Sequence, residues 1–98
     1  MPAVCRGDLV DKDVVHCSIP SREQCSTDVF VNGIGISRQG DNNDSHLLPG
    51  APCPSHAAPI TIGSTTVFIN GKGCGRIGDA VTACTSVATG SSNVFAGP

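Results

Sequence analysis

The chain's metal-binding and nucleophilic chemistry rests on three histidines and six cysteines among 98 residues. Two stretches read almost alike: VFVNGIGISRQGD at residues 29–41 and VFINGKGCGRIGD at residues 67–79, identical at 8 of 13 positions. His46 stands five residues after Asp41, and Cys84 stands five residues after Asp79. An exchange of His for Cys between copies of a repeat keeps little except affinity for borderline metal ions. His16 follows, by eight residues, the Gly-Asp of a shorter N-terminal fragment, Cys5-Arg6-Gly7-Asp8. His56 lies in the connection between the two long copies. Together His16, His46, His56 and Cys84 make a three-imidazole, one-thiolate set suited to tetrahedral Zn²⁺ with no open position. Such a closed site is structural, and its binding energy, on the order of 10 kcal/mol in small zinc domains, adds to folding. Iron or copper would also accept these donors.

A rival ligand set is richer in cysteine. Cys53 and His56 have a metal-like spacing, and Cys17 adjoins His16. Neighbouring strand residues point to opposite faces, so His16 and Cys17 would not reach one ion. Six cysteines also permit a disulfide framework of unknown pairing. The N-terminus lacks the layout of a signal peptide, which favours reduced thiols and synthesis in the cytoplasm. With Cys84 taken by metal, an odd number of cysteines remains, which suits small buried residues better than a full disulfide set. No nucleophile stands at a readable spacing from a base, so the expected class is a structural protein rather than an enzyme. A small metallo-hydrolase would need an open metal position. A secreted disulfide-rich toxin or binding module would need the cysteines paired.

The elements that must position these residues are short. Gly, Pro, Ser, Thr, Asn and Asp punctuate the whole chain, and long helical periodicity is missing. β-Branched runs at residues 28–31, 60–62, 65–69 and 93–95 favour strands, and Asn32-Gly33 and Asn70-Gly71 are hairpin turn signals. Residues 21–25 have room for one helical turn, and residues 11–17 for a strand or loop. The ending SNVFAG at residues 92–97 resembles the start of the repeat unit, as Cys5-Arg6-Gly7-Asp8 resembles its end. The chain therefore reads as about three copies, one split between the termini, packed as a pseudo-threefold object. Arg38 and Arg76 have Asp41, Asp79 or Asp8 as ion-pair partners, or are solvated surface charges. Phe30, Phe68 and Phe95 occupy equivalent places; as apolar strand residues they are expected in the core, the alternative being a face that docks on a partner.

Bulk composition sets limits on partners. Net charge is −2, with no basic run, which argues against nucleic acid. No apolar run approaches the ~20 residues of a membrane-spanning helix. A single small domain over residues 1–98, with no Trp or Tyr, has a thin core and calls for a staple.

The combined pattern resembles the PAAR-repeat proteins: an N-terminal Arg-Gly-Asp, then Val-Phe-Val-Asn-Gly…Arg-x-Gly-Asp…His, a Cys-Pro-x-His linker, then Ile-x-Ile-Gly-Ser-x-x-Val-Phe-Ile-Asn-Gly-Lys…Arg-x-Gly-Asp…Cys. The likeness covers residues 4–95. It departs where the family reads Pro-Ala-Ala-Arg, for here Gly73-Cys74-Gly75-Arg76 stands, and glycine there is expected to loosen the turn. The resemblance implies a mostly β fold, a small cone of short β-hairpins with zinc near its vertex held by His16, His46, His56 and Cys84. It implies a tip that caps the trimeric β-helical spike (VgrG-like or phage central spike) of a type VI secretion system or contractile phage tail. One copy would sit on each trimer, aid membrane puncture, and be ejected toward the target cell. A chain that stops soon after its last repeat fragment leaves no room for a toxin extension, so effector cargo, where carried, would be a separate protein.

Overall fold

The computed structural model describes residues 1–15, 18–47, 55–82 and 84–97. Six two-residue strands form three antiparallel hairpin-like pairs: β1 (Phe30–Val31) with β2 (Ile34–Gly35), β3 (His46–Leu47) with β4 (Ser55–His56), and β5 (Phe68–Ile69) with β6 (Lys72–Gly73). No helix occurs among the described residues. Residues 21–25 hold no helical turn; Ser21 and Arg22 instead bridge to Lys12 and Asn43. The β1–β2 and β5–β6 turns are the Asn-Gly pairs, with φ of 54° and 78° at Asn32 and Gly33 and 54° and 79° at Asn70 and Gly71. Two successive positive φ values give the turn type whose twist matches a hairpin, and Asn and Gly tolerate them best.

Between the short strands, one bonding pattern occurs three times. Arg38 donates from its backbone N–H and its Nε to Asp41 Oδ2 and from Nη2 to Asp41 Oδ1. Arg76 does the same with Asp79. The third clamp is Arg6 with Asp11, through the same atoms. The N-terminal landmark is thus Asp11 and not Asp8; two extra residues lengthen this loop, and Asp8 and Leu9 take positive φ within it. Ser26, Ser64 and Ser91 likewise each accept, at Oγ, N–H bonds from the residues two and three places on.

Three segments of the chain are knitted into a ring. Cys5 N–H donates to Gly75 O, Gly75 N–H to Ser37 O, and Ser37 N–H to Cys5 O, at 3.0, 2.9 and 3.1 Å. Bridges Val4↔Arg76, Arg38↔Cys74 and Arg6↔Ile36 flank it. Gly75 is not loosened here. A Cβ at that position would fall 2.5 Å from Ser37 O and 2.7 Å from Cys5 Sγ, so the missing side chain is what lets the backbones close. One apolar cluster (Val4, Val31, Ile36, Ile69, Cys74, Ala96) packs beneath the β1–β2 and β5–β6 hairpins, and a second (Cys5, Ala58, Ile60, Val81, Val87) packs against Cys84. The three Phe are outside both: Phe30, Phe68 and Phe95 are 57%, 60% and 52% exposed. Strand alternation explains this, since Val31 and Ile69 face inward and their neighbours must face out.

The Arg6–Asp11 clamp gives acid sensitivity a defined origin. Burial pushes the Asp11 carboxyl up, but hydrogen bonds from the Arg6 side chain and backbone outweigh it and hold Asp11 below its ordinary range. A carboxylate whose pKa is lower folded than unfolded contributes stability above its unfolded value, about 3.9, and loses it as pH falls through the folded value. Asp11→Asn is expected to lower the urea midpoint at pH 7, and its deficit against the native chain is expected to shrink below about pH 4. An unchanged gap between the two chains at pH 3 would refute the assignment.

Candidate metal centre

The β3–β4 pair exists in a register that sets His46 directly opposite His56. Residues opposite each other on antiparallel strands share a face, so the two rings meet, with centroids 4.3 Å apart and planes tilted by 57°. Cys84 follows Val81, which packs into the second apolar cluster. Its Sγ lies 3.1 Å from His46 Nε2 and 3.5 Å from His56 Nε2. One donor atom from each of the three residues lies within 4.8 Å of the others. The group can hold a metal ion. With metal–nitrogen and metal–sulfur bonds of about 2.1 and 2.3 Å, neighbouring donors of a tetrahedral site lie about 3.5 Å apart, close to the 3.1 and 3.5 Å from Cys84 Sγ to the two imidazole nitrogens.

The surroundings prepare these donors. His46 is buried, and its Nδ1 lies 2.8 Å from Asp44 O. A carbonyl can only accept, so Nδ1 carries the proton and Nε2, the nitrogen facing Cys84, keeps its lone pair. That is the usual way a histidine ligand is oriented. Burial pushes the Cys84 thiol up, against the pull of a hydrogen bond from the Asn43 side chain.

Of the four residues singled out by sequence, the structure brings together His46, His56 and Cys84. His16 lies outside the described residues, as do Cys17 and Cys53 of the rival set. The Arg–Asp clamps nonetheless refine its place. Counted from Asp11, His16 is five residues on, as His46 is from Asp41 and Cys84 from Asp79. Cys5, Cys25, Cys74 and Cys84 are free thiols. Burial pushes the Cys5 thiol far up and raises Cys74 to about 11, so both are inert core residues. Sequence reasoning missed a buried group beside the site, Asp13, Arg22 and Asn43. Its signal was present: two polar residues stand two places after Asp11 and Asp41, where Val81 follows Asp79.

Residues 50–97 match the family model for the PAAR motif. No curated protein matches the chain.

Proposed function

Since the chain carries a PAAR motif over residues 50–97 and is in that respect a PAAR-motif protein, we propose that it is the zinc-stapled tip of a contractile injection machine. The whole chain, residues 1–98, acts as one domain. It caps the blunt end of a trimeric β-helical spike, one copy per trimer, and leaves with the spike toward the target cell. His16, His46, His56 and Cys84 hold one zinc ion at the vertex. Three imidazoles and one thiolate fill a tetrahedral shell and leave no position for a reactive water, so the metal is structural.

The observation that carries this reading is the threefold recurrence of one bonding pattern within a single chain. The Arg–Asp clamps, the Ser turns and the Cys5–Gly75–Ser37 ring fit a pseudo-threefold axis. An axis of that order makes the two transverse extents equal, and the molecule measures 39 × 23 × 22 Å. A monomer with three near-equal faces can seat on a true trimer without itself forming one. Phe30, Phe68 and Phe95 then present one exposed ring to each spike subunit. Large exposed aromatics are the commonest interface anchors.

Native mass spectrometry tests the reading. The protein alone is expected to carry one zinc. Mixed with a recombinant trimeric spike from the same machine, it is expected to give a complex of one copy and three spike subunits. A metal-free native chain, or a complex with three copies, would overturn it.

A further inference from the structure

A charge occupies a slot that elsewhere in this chain takes an apolar side chain. Ile60 N–H donates to Asp41 O and Ile60 O accepts from Gly40; Val87 stands in the same relation to Asp79 and Gly78. Arg22 makes the corresponding pair of bonds with Asp11 and Leu9. Each of the three also stands four residues before one of the turn serines, Ser26, Ser64 and Ser91. All three are buried, and Arg22 is 0% exposed. A second set of positions shows the same contrast. Asp13, Asn43 and Val81 each stand two residues after a clamp aspartate and donate their N–H to Pro20, Ala58 and Thr85 respectively. All three are buried, yet only Val81 is apolar.

The three polar side chains form one group that joins two particular segments. Asp13 and Arg22 both come from the segment after Asp11, and both reach residues 41–43. Asn43 Nδ2 donates to Asp13 Oδ2 at 2.9 Å, and Arg22 Nη2 donates to Asp41 O at 3.1 Å. Arg22 also bridges to Asn43 along the backbone. The Asn43 amide is fixed at its other end, where Oδ1 accepts from Ala58 N–H at 2.9 Å.

Such a group is poorly explained by stability. A fully buried ion pair loses hydration that its Coulomb energy seldom exceeds, and apolar replacement is often neutral or stabilising. Here the pair is also loose. Arg22 Nε is 3.6 Å from Asp13 Oδ1, and Arg22 Nε, Arg22 Nη1 and Asp13 Oδ1 have no hydrogen-bond partner among the described residues. What the group does supply is discrimination. Residues 29–41 and 67–79 are identical at 8 of 13 positions, and their clamps and Asn-Gly turns are alike. Their backbone pattern does not tell a collapsing chain which of the two belongs against residues 11–22. Chains built of similar units misassemble and exchange segments in this way. With the segment after Asp79 in the wrong place, Val81 would stand where Asn43 stands, and Asp13 Oδ2 would be buried without its donor. A buried charge stripped of its partner is strongly disfavoured. Apolar residues in every slot would accept either arrangement.

We propose that Asp13, Arg22 and Asn43 are an assembly label: a buried charged group that admits the segment after Asp41 beside residues 11–22 and excludes the similar segment after Asp79, whether from the same chain or from a second copy. A single buried polar residue fixes register in coiled coils by the same physics. The label depends on neither the metal nor the spike.

The test unfolds the native chain and the variant Asp13→Val/Arg22→Ile in urea and refolds both by dilution, with a zinc salt and a reductant present. The native chain is expected to return as one monomer with a single set of amide NMR signals. The variant is expected to melt at the same temperature or higher. It is nonetheless expected to return with about a tenth or more of its chains as oligomers, or as a monomer with a second set of signals. Fidelity lost at undiminished stability is a result that an ordinary core contact would not give. Asp13→Asn/Arg22→Ile removes both charges and keeps an acceptor for Asn43. It decides the matter should the first variant not fold, and is expected to shift the same way by a smaller fraction. A folded variant that returns to one monomer as cleanly as the native chain would overturn the label. So would a lowered melting temperature with a single set of signals.

Discussion

Removing the metal is expected to lower the melting temperature by tens of degrees, while a reductant alone changes nothing. The described core is two small apolar clusters, the second of them closed by Cys84. The elements that carry the candidate ligands are two-residue strands, too short to hold together in water by themselves. Structural zinc supplies on the order of 10 kcal/mol in small domains. Even a third of that corresponds to roughly 13–27 °C in a domain of this size. Cys84→Ser is expected to reproduce the loss, because the hydroxyl is a poor ligand and leaves His46 and His56 without their shared partner. Calorimetry with and without a strong chelator reads both. A melting temperature that follows reductant instead of chelator would favour a disulfide-rich module. The free thiols at Cys5, Cys25, Cys74 and Cys84 count against that.

The second large effect is expected at the three exposed phenylalanines. Replacing Phe30, Phe68 and Phe95 together by Asp should abolish binding to the spike trimer, a loss beyond about 100-fold, and leave the melting temperature within a few degrees. The two halves of this expectation come from one fact. Each of the three residues is already more than half exposed, so folding gains little from its ring, whereas an interface would bury it whole. An anchoring aromatic contributes about 2 kcal/mol or more at a binding site, and three related positions would each contribute. Single Phe→Ala variants should weaken binding by similar factors if each meets one subunit. Titration calorimetry against the recombinant spike trimer measures this. Undiminished binding by the triple variant would move the docking face elsewhere.

What could be read from sequence follows from how local each signal is. The Asn-Gly hairpins were legible because a two-residue turn with positive φ admits few other residues. The nearness of His46 and Cys84 was legible because a repeat places equal positions together, whereas His56, in the connection between copies, is brought in by the β3–β4 register. The split copy was harder. Arg6-Gly7-Asp8 imitates the end of the other units, and the two-residue insertion that makes Asp11 the true partner has no local mark. Only the clamp geometry exposes it. The three Phe were misplaced for a different reason: apolar character normally signals burial within the chain, and says nothing of burial against another protein. Arg22 was invisible because no rule of pattern puts a guanidinium in a slot shared with Ile60 and Val87.

The split copy also governs how the molecule can be assembled. Arg6 reaches the carbonyl of Gly90 across 84 residues of sequence, and Thr89 reaches Asp11 across 78. Ala3 bridges to Phe95, and Val4 N–H to Val94 O. Contacts this distant demand loop closure before they return any energy, which slows folding and makes it all-or-none. A chain emerging from the ribosome cannot close the Cys5–Gly75–Ser37 ring until its last third is out, and Cys5 must wait for it with its donor unmet. The stretch of residues 50–97 that bears the family signature is for the same reason not a folding unit. It holds Gly75 and Arg76 but neither Cys5 nor Ser37, so what identifies the protein is only part of what makes it a structure.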